Sequence, residues 1–190
     1  MIDVVAMGEE WEKFKDKIVN LQSDLSPFEV DFMDRNSFKK FCDNLRSELQ
    51  AYRSIWITGY FSETIRETLQ KIAKGMNYSV RLICPEFPIK SQRDRRNLQA
   101  LKKLADAGAE IKFNNRLHAR FLVAYRPSMQ GLLVIGSFDF NTECIGKERY
   151  DAGIKTRHPD LVKSAIKLFE QIWDEPESMS MEDFKKKVKH

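Results

Sequence analysis

The stretch that most restricts this chain runs from His118 to about Asp151. Leu117-His118-Ala119-Arg120-Phe121-Leu122-Val123-Ala124-Tyr125 leads into a turn from Pro127 to Gly131, and Leu132-Leu133-Val134-Ile135 climbs again before Gly136-Ser137-Phe138-Asp139. Two short apolar runs joined by a Pro/Gly turn read as a strand pair. Antiparallel pairing would set the outer ends of the two runs side by side. His118, Arg120 and Ser137 would then meet on one rim of a sheet, where an imidazole, a guanidinium and a hydroxyl suit the handling of an anion.

The flanking segments place this hairpin in an α/β layer. Ser54 to Tyr60 is a β-rich run. Ser62 caps a helix that ends near Gly75, and Tyr78 to Cys84 is a second β run closed by Pro85 and Pro88. A helix from about Asp94 to Ala107 stops at Gly108, and Ala109 to Phe113 forms a third strand. Strand-helix-strand-helix-strand order predicts a mixed, largely parallel sheet flanked by helices. Earlier in the chain, Asn36 or Ser37 caps a helix whose Phe38, Phe41, Leu45 and Leu49 make one stripe. Trp11, Phe14, Ile18 and Leu21 space an amphipathic N-terminal helix over residues 8–22.

The division expected is an N-terminal helical extension over 1–35, an α/β domain over 36–174, and a polar, basic tail over 175–190. In that tail Met181 to Lys189 ends in three lysines. A frayed end is the preferred reading of its composition, with a docked helix and a basic anchor as the alternatives.

At 190 residues, 42% hydrophobic and 32% charged, the chain is long enough to bury a core. No window holds the ~20 apolar residues of a membrane span, and the first ten residues lack the basic-then-apolar order of a secretory signal. Cys42, Cys84 and Cys144 are odd in number and widely spaced, which argues against a disulfide framework and a zinc site and points to a reducing cytoplasm. The net charge of +4 is unevenly spread. Lys90, Arg93, Arg95, Arg96, Lys102 and Lys103 cluster against a single Asp94, and Arg116, Arg120 and Arg126 flank the hairpin. A solvated helix face and a rim that attracts phosphate-rich polymers both account for the cluster.

These residues resemble the phospholipase D superfamily, whose signature is His-x-Lys, four residues, Asp, then Gly-Ser-x-Asn. His118 matches, Arg120 stands for Lys, Tyr125 for Asp, Gly136-Ser137 matches, and Asp139 stands for Asn. Arg149 to Ile154 is similar to the family's later acidic strand, Pro159 to Trp173 to its closing helix, and Ser54 to Ser62 to its first core strand. The likeness covers roughly 36–174. It implies a metal-independent phosphodiesterase of nuclease type, without cofactor, in which His118 attacks phosphorus to form a phosphohistidine. Arg120 and Ser137 would hold the phosphate, and Asp151 or Glu148 would hold the histidine's other nitrogen, with Asp151 preferred. Arg116, Arg93, Arg95 and Arg96 are the expected substrate contacts.

Only one signature is present, so the resemblance implies a homodimer that joins two His118 across a two-fold axis. DNA or RNA is the substrate the basic cluster favours. Asp139 bears on activity. Asparagine can donate a hydrogen bond, whereas an ionised carboxylate only accepts one. An Arg120–Asp139 ion pair would fill the site. A module that binds nucleic acid or a protein without turnover therefore remains open.

Overall fold

The computed structural model describes residues 30–75, 78–127, 130–140 and 151–188. The helix expected over 8–22 lies outside them, as do Cys144 and Glu148. The strands are β1 (Val30–Met33), β2 (Ser54–Thr58), β3 (Ser79–Pro85), β4 (Glu110–Asn114), β5 (Phe121–Tyr125), β6 (Leu132–Gly136), β7 (Gly153–Thr156) and β8 (Met179–Ser180). The helices are α1 (Arg35–Asp43), α2 (Leu45–Leu49), α3 (Glu63–Ala73), α4 (Gln92–Asp106), α5 (Pro159–Asp174) and α6 (Met181–Lys187). All eight strands form one sheet in the order β1-β7-β6-β5-β2-β3-β4-β8.

The class is mixed α/β, as the pattern predicted, but its parallel share is smaller than expected. Only β2, β3 and β4 run parallel; every other neighbouring pair is antiparallel. The crossover helices α3 and α4 enforce parallel pairing where they occur. The hairpin and the two edge strands reverse it elsewhere.

Strand alternation divides the core. Ile55, Ile57, Leu82, Leu122 and Val134 face one side with Phe38 of α1, Ile65 of α3, Leu104 of α4 and Phe184 of α6. Trp56, Ile83, Phe121, Val123 and Leu133 face the other, under Val162, Ala165 and Phe169 of α5. Neighbouring residues of one strand thus serve opposite layers, which is why these central strands read as unbroken apolar runs. Phe169 stacks on Trp56 at 5.0 Å between ring centroids.

The helix starts follow local chemistry. Ser62 accepts from the Ile65 amide at 3.4 Å. Ser91 accepts from the Asp94 amide at 3.1 Å while the Asp94 carboxylate accepts from the Ser91 amide at 2.8 Å, a closed capping box. At α1 the cap is Asp34, which accepts from the Ser37 amide at 2.8 Å, rather than Asn36 or Ser37. Ser37 answers from inside the helix by accepting the Asp34 amide.

Both ends of the described chain join the sheet. Val30–Met33 pairs with β7. Of the three accounts of the tail, docking is the one seen: β8 pairs with β4, and Phe184 stacks on Phe113 at 4.0 Å. No described helix is long and apolar enough to cross a membrane.

Candidate active site

One end of the sheet gathers the signature. Strands β2 and β6 finish there and β5 and β7 begin there, because Thr58 is opposite Phe121, Phe121 opposite Ile135, and Gly136 opposite Gly153. Thr58, fully buried, fixes the segment entering β5. Its hydroxyl donates to the Ala119 carbonyl at 2.9 Å and accepts from the Phe121 amide at 3.1 Å. The Gly136 amide donates to the Arg120 carbonyl at 3.2 Å, so the Arg120 backbone is clamped between two strand ends. Thr58 was missed in the sequence, where it reads as one more residue of a strand.

The Gly-Ser step has a packing reason. A Cβ on Gly136 would lie 2.8 Å from the Phe138 ring and from the Gly153 Cα. Bare backbone there lets Phe138 slide beneath the sheet and stack on Phe38 at 4.1 Å. The chain then reaches Phe140, whose carbonyl accepts from the Ser62 amide at 2.8 Å. Asp139 is thereby carried over the end of β2.

Arg120 and Asp139 meet. The Arg120 Nε donates to Asp139 Oδ1 at 2.6 Å, with the two side chains 33% and 21% exposed. Ser137 meets Asp151: its hydroxyl donates to Asp151 Oδ1 at 3.0 Å and accepts from the Ala152 amide at 3.1 Å. His118 sits in the irregular segment ahead of β5 rather than on the strand, and it is exposed. Strand alternation therefore does not set its direction relative to Arg120. Its ring forms no hydrogen bond with another described residue. Among the described residues no hydrogen bond joins Asp151 to the His118 ring; Asp151 Oδ1 accepts from Ser137 instead.

Asp139 also forms part of the wall of a groove of about 660 Å³ that runs along α4. Tyr60, Arg66, Arg93, Arg96 and Lys103 line it as well. Arg66 Nη1 donates to the Phe61 carbonyl at 3.1 Å and to Asn97 Oδ1 at 3.3 Å, tying α3 to α4 across the floor. A smaller hollow of about 280 Å³ shares Tyr60, Arg66 and Arg93 and reaches Cys84. Burial pushes the Cys84 thiol up to about 12, partly opposed by the Arg66 charge.

The four arginines expected to touch substrate separate. Arg93 and Arg96 are in the groove. Arg95, two residues from Arg93, is on a different side of the helix and exposed. Arg116 pairs with Glu177, away from the groove. Arg66 was not anticipated; its signal is a lone cation one helical turn after the Ser62 cap. Among the described residues, no three His, Cys, Asp or Glu side chains are grouped to hold a metal.

Residues 45–173 match the family described as "Cardiolipin synthase, PLD-like domain". Nuc from Salmonella typhimurium, a phospholipase D family member, shares the fold with a TM-score of 0.57 and 14% identity, over 80% of this chain and 97% of Nuc. NucT from Helicobacter pylori gives 0.60 and 12%, over 80% of this chain and 99% of NucT. Polyphosphate kinase from Porphyromonas gingivalis gives 0.64 and 18%, over 79% of this chain but only 26% of the kinase. No curated protein matches the chain in sequence.

Proposed function

Because this chain belongs to the phospholipase D-like domain family, we propose that it is a phosphodiesterase, acting on nucleic acid through His118 without a metal. The observation that carries this reading is the rim itself. An exposed imidazole stands two residues from a guanidinium, that guanidinium pairs with Asp139, and Asp139 lies in the wall of a groove with Arg93 and Arg96.

The chemistry follows from those groups. A His118 ring nitrogen attacks phosphorus, the P–N bond forms, and the P–O bond to the leaving oxygen breaks. An imidazolium must protonate that oxygen. His118 of a second copy supplies it, which makes the active species a homodimer. The second imidazole, now neutral, takes a proton from water as that water attacks phosphorus, the P–N bond breaks, and a phosphomonoester leaves. Arg120 and Ser137 neutralise and hold the nonbridging oxygens, provided that each exchanges its carboxylate partner for phosphate. Asp151 serves as the positioning residue of Ser137. A cytoplasmic, reducing setting belongs to this reading, supported by Cys42 and Cys84 as buried free thiols.

One observation favours binding without turnover: the Arg120–Asp139 ion pair occupies a guanidinium that substrate would need. The deciding experiment is turnover of bis(p-nitrophenyl) phosphate and of DNA in EDTA, wild type beside His118→Ala. EDTA-resistant hydrolysis lost in the variant is the expected result. A folded dimer without turnover returns the protein to the binding reading.

A further inference from the structure

We propose that the groove along α4 takes a single-stranded polynucleotide, with the Tyr60 ring stacked on one of its bases. The inference rests on the phosphodiester reading of the rim and names which polymer the rim receives.

Helical spacing sorts the basic cluster. Arg93, Arg96 and Lys103 are separated by three and seven residues, so they share one face of α4, the face toward the groove. They extend over about 15 Å of helix axis, a length that suits several linked phosphates rather than one. The groove holds four cationic side chains, Arg66, Arg93, Arg96 and Lys103, against the carboxylates of Glu63 and Asp139. Its balance is positive, as a polyanion requires. Asp139 links it to Arg120, so the bound strand would run from α4 onto the rim.

Tyr60 decides between polyanions. It is one of few large apolar side chains in the described structure left exposed, at 45%, and it borders both the groove and the smaller hollow beside it. Its place is set by Gly59, whose φ of +128° turns the chain out of β2 in a conformation that other residues rarely adopt. An aromatic ring beside a row of cations is the arrangement that binds unpaired strands, because every base offers a flat face. A duplex keeps those faces stacked inside and would have to open to reach Tyr60. An inorganic polyphosphate has no such face.

The test is fluorescence anisotropy with labelled oligodeoxythymidine in EDTA, in a His118→Ala background so that the strand is not consumed. Tyr60→Ala should weaken binding about tenfold, while Tyr60→Phe holds it and a blunt duplex of equal length changes by less than about twofold. Arg96→Ala should lower the salt dependence of strand binding. An unchanged affinity in Tyr60→Ala overturns the inference, as does an equal loss for strand and duplex. Polyphosphate that competes as well as the oligonucleotide, indifferent to Tyr60→Ala, overturns it too. The hydrolase reading is judged separately, from wild-type turnover of bis(p-nitrophenyl) phosphate, so either can fail alone.

Discussion

Asp139 and Asp151 hold Arg120 and Ser137, the two groups that the proposed mechanism turns to phosphate. Replacing Asp139 by asparagine removes the charge that competes for Arg120 and restores a donor. Two opposed consequences follow. Affinity for inorganic phosphate, measured as inhibition or by calorimetry, should rise about five- to tenfold, since a like charge at contact distance costs on the order of 1 kcal/mol at a half-screened site. Folding stability should fall by no more than about 1 kcal/mol, because both partners of the ion pair reach solvent. A fall in phosphate affinity would mean that Asp139 assists the site rather than blocks it.

The thiols give a second residue-scale result. Burial, with a smaller push from Asp43, raises Cys42 to about 12, and burial raises Cys84 to about 12, from an ordinary 9.0. Each stays protonated in the fold while the unfolded chain ionises. Their contribution to stability is complete below 9.0 and is lost as pH rises towards about 12. Native protein treated with iodoacetamide at about pH 8 should leave both unmodified by peptide mapping, and urea should expose both.

At the scale of elements, legibility depended on how local the signal was. The β5–β6 hairpin was readable because two apolar runs and a Pro/Gly turn agree within twenty residues, and Phe121 does face Ile135. The helix α4 and the closing helix were readable for the same reason. Strand direction was not, since a buried run of four or five apolar residues looks alike whichever way its neighbour points. The Ser137–Asp151 hydrogen bond was not legible, because a motif fixes which residues are near, not which of several acceptors a hydroxyl chooses. The α4 cap offers a check at this scale. Ser91→Ala should cost about 1 kcal/mol in urea unfolding at neutral pH. The Ser91 side-chain and amide hydrogen bonds also hold the Asp94 carboxyl below its usual value. That support is present above the ordinary aspartate range and disappears as pH falls through the lowered value, so the gap between wild type and Ser91→Ala should narrow in acid without closing, because the Ser91 hydroxyl still accepts from the Asp94 amide.

For the whole molecule, the dimer is the open quantity. Ile135 stands on the α5 side of the sheet, one residue from the Gly136–Ser137 rim, and is 39% exposed. Two copies meeting across that rim would cover it. Wild type should sediment as a dimer and Ile135→Asp as a folded monomer; a dimer indifferent to the substitution would place the two-fold elsewhere. The order of the sheet also sets a timetable. Val30–Met33 is made early, yet its partner among the described strands, β7, is one of the last to be translated. At ~5–20 residues per second, roughly six to twenty-five seconds pass on the ribosome before that pairing can form. Until then β1 has no strand to pair with, and chaperones and neighbouring nascent chains have that interval in which to find it.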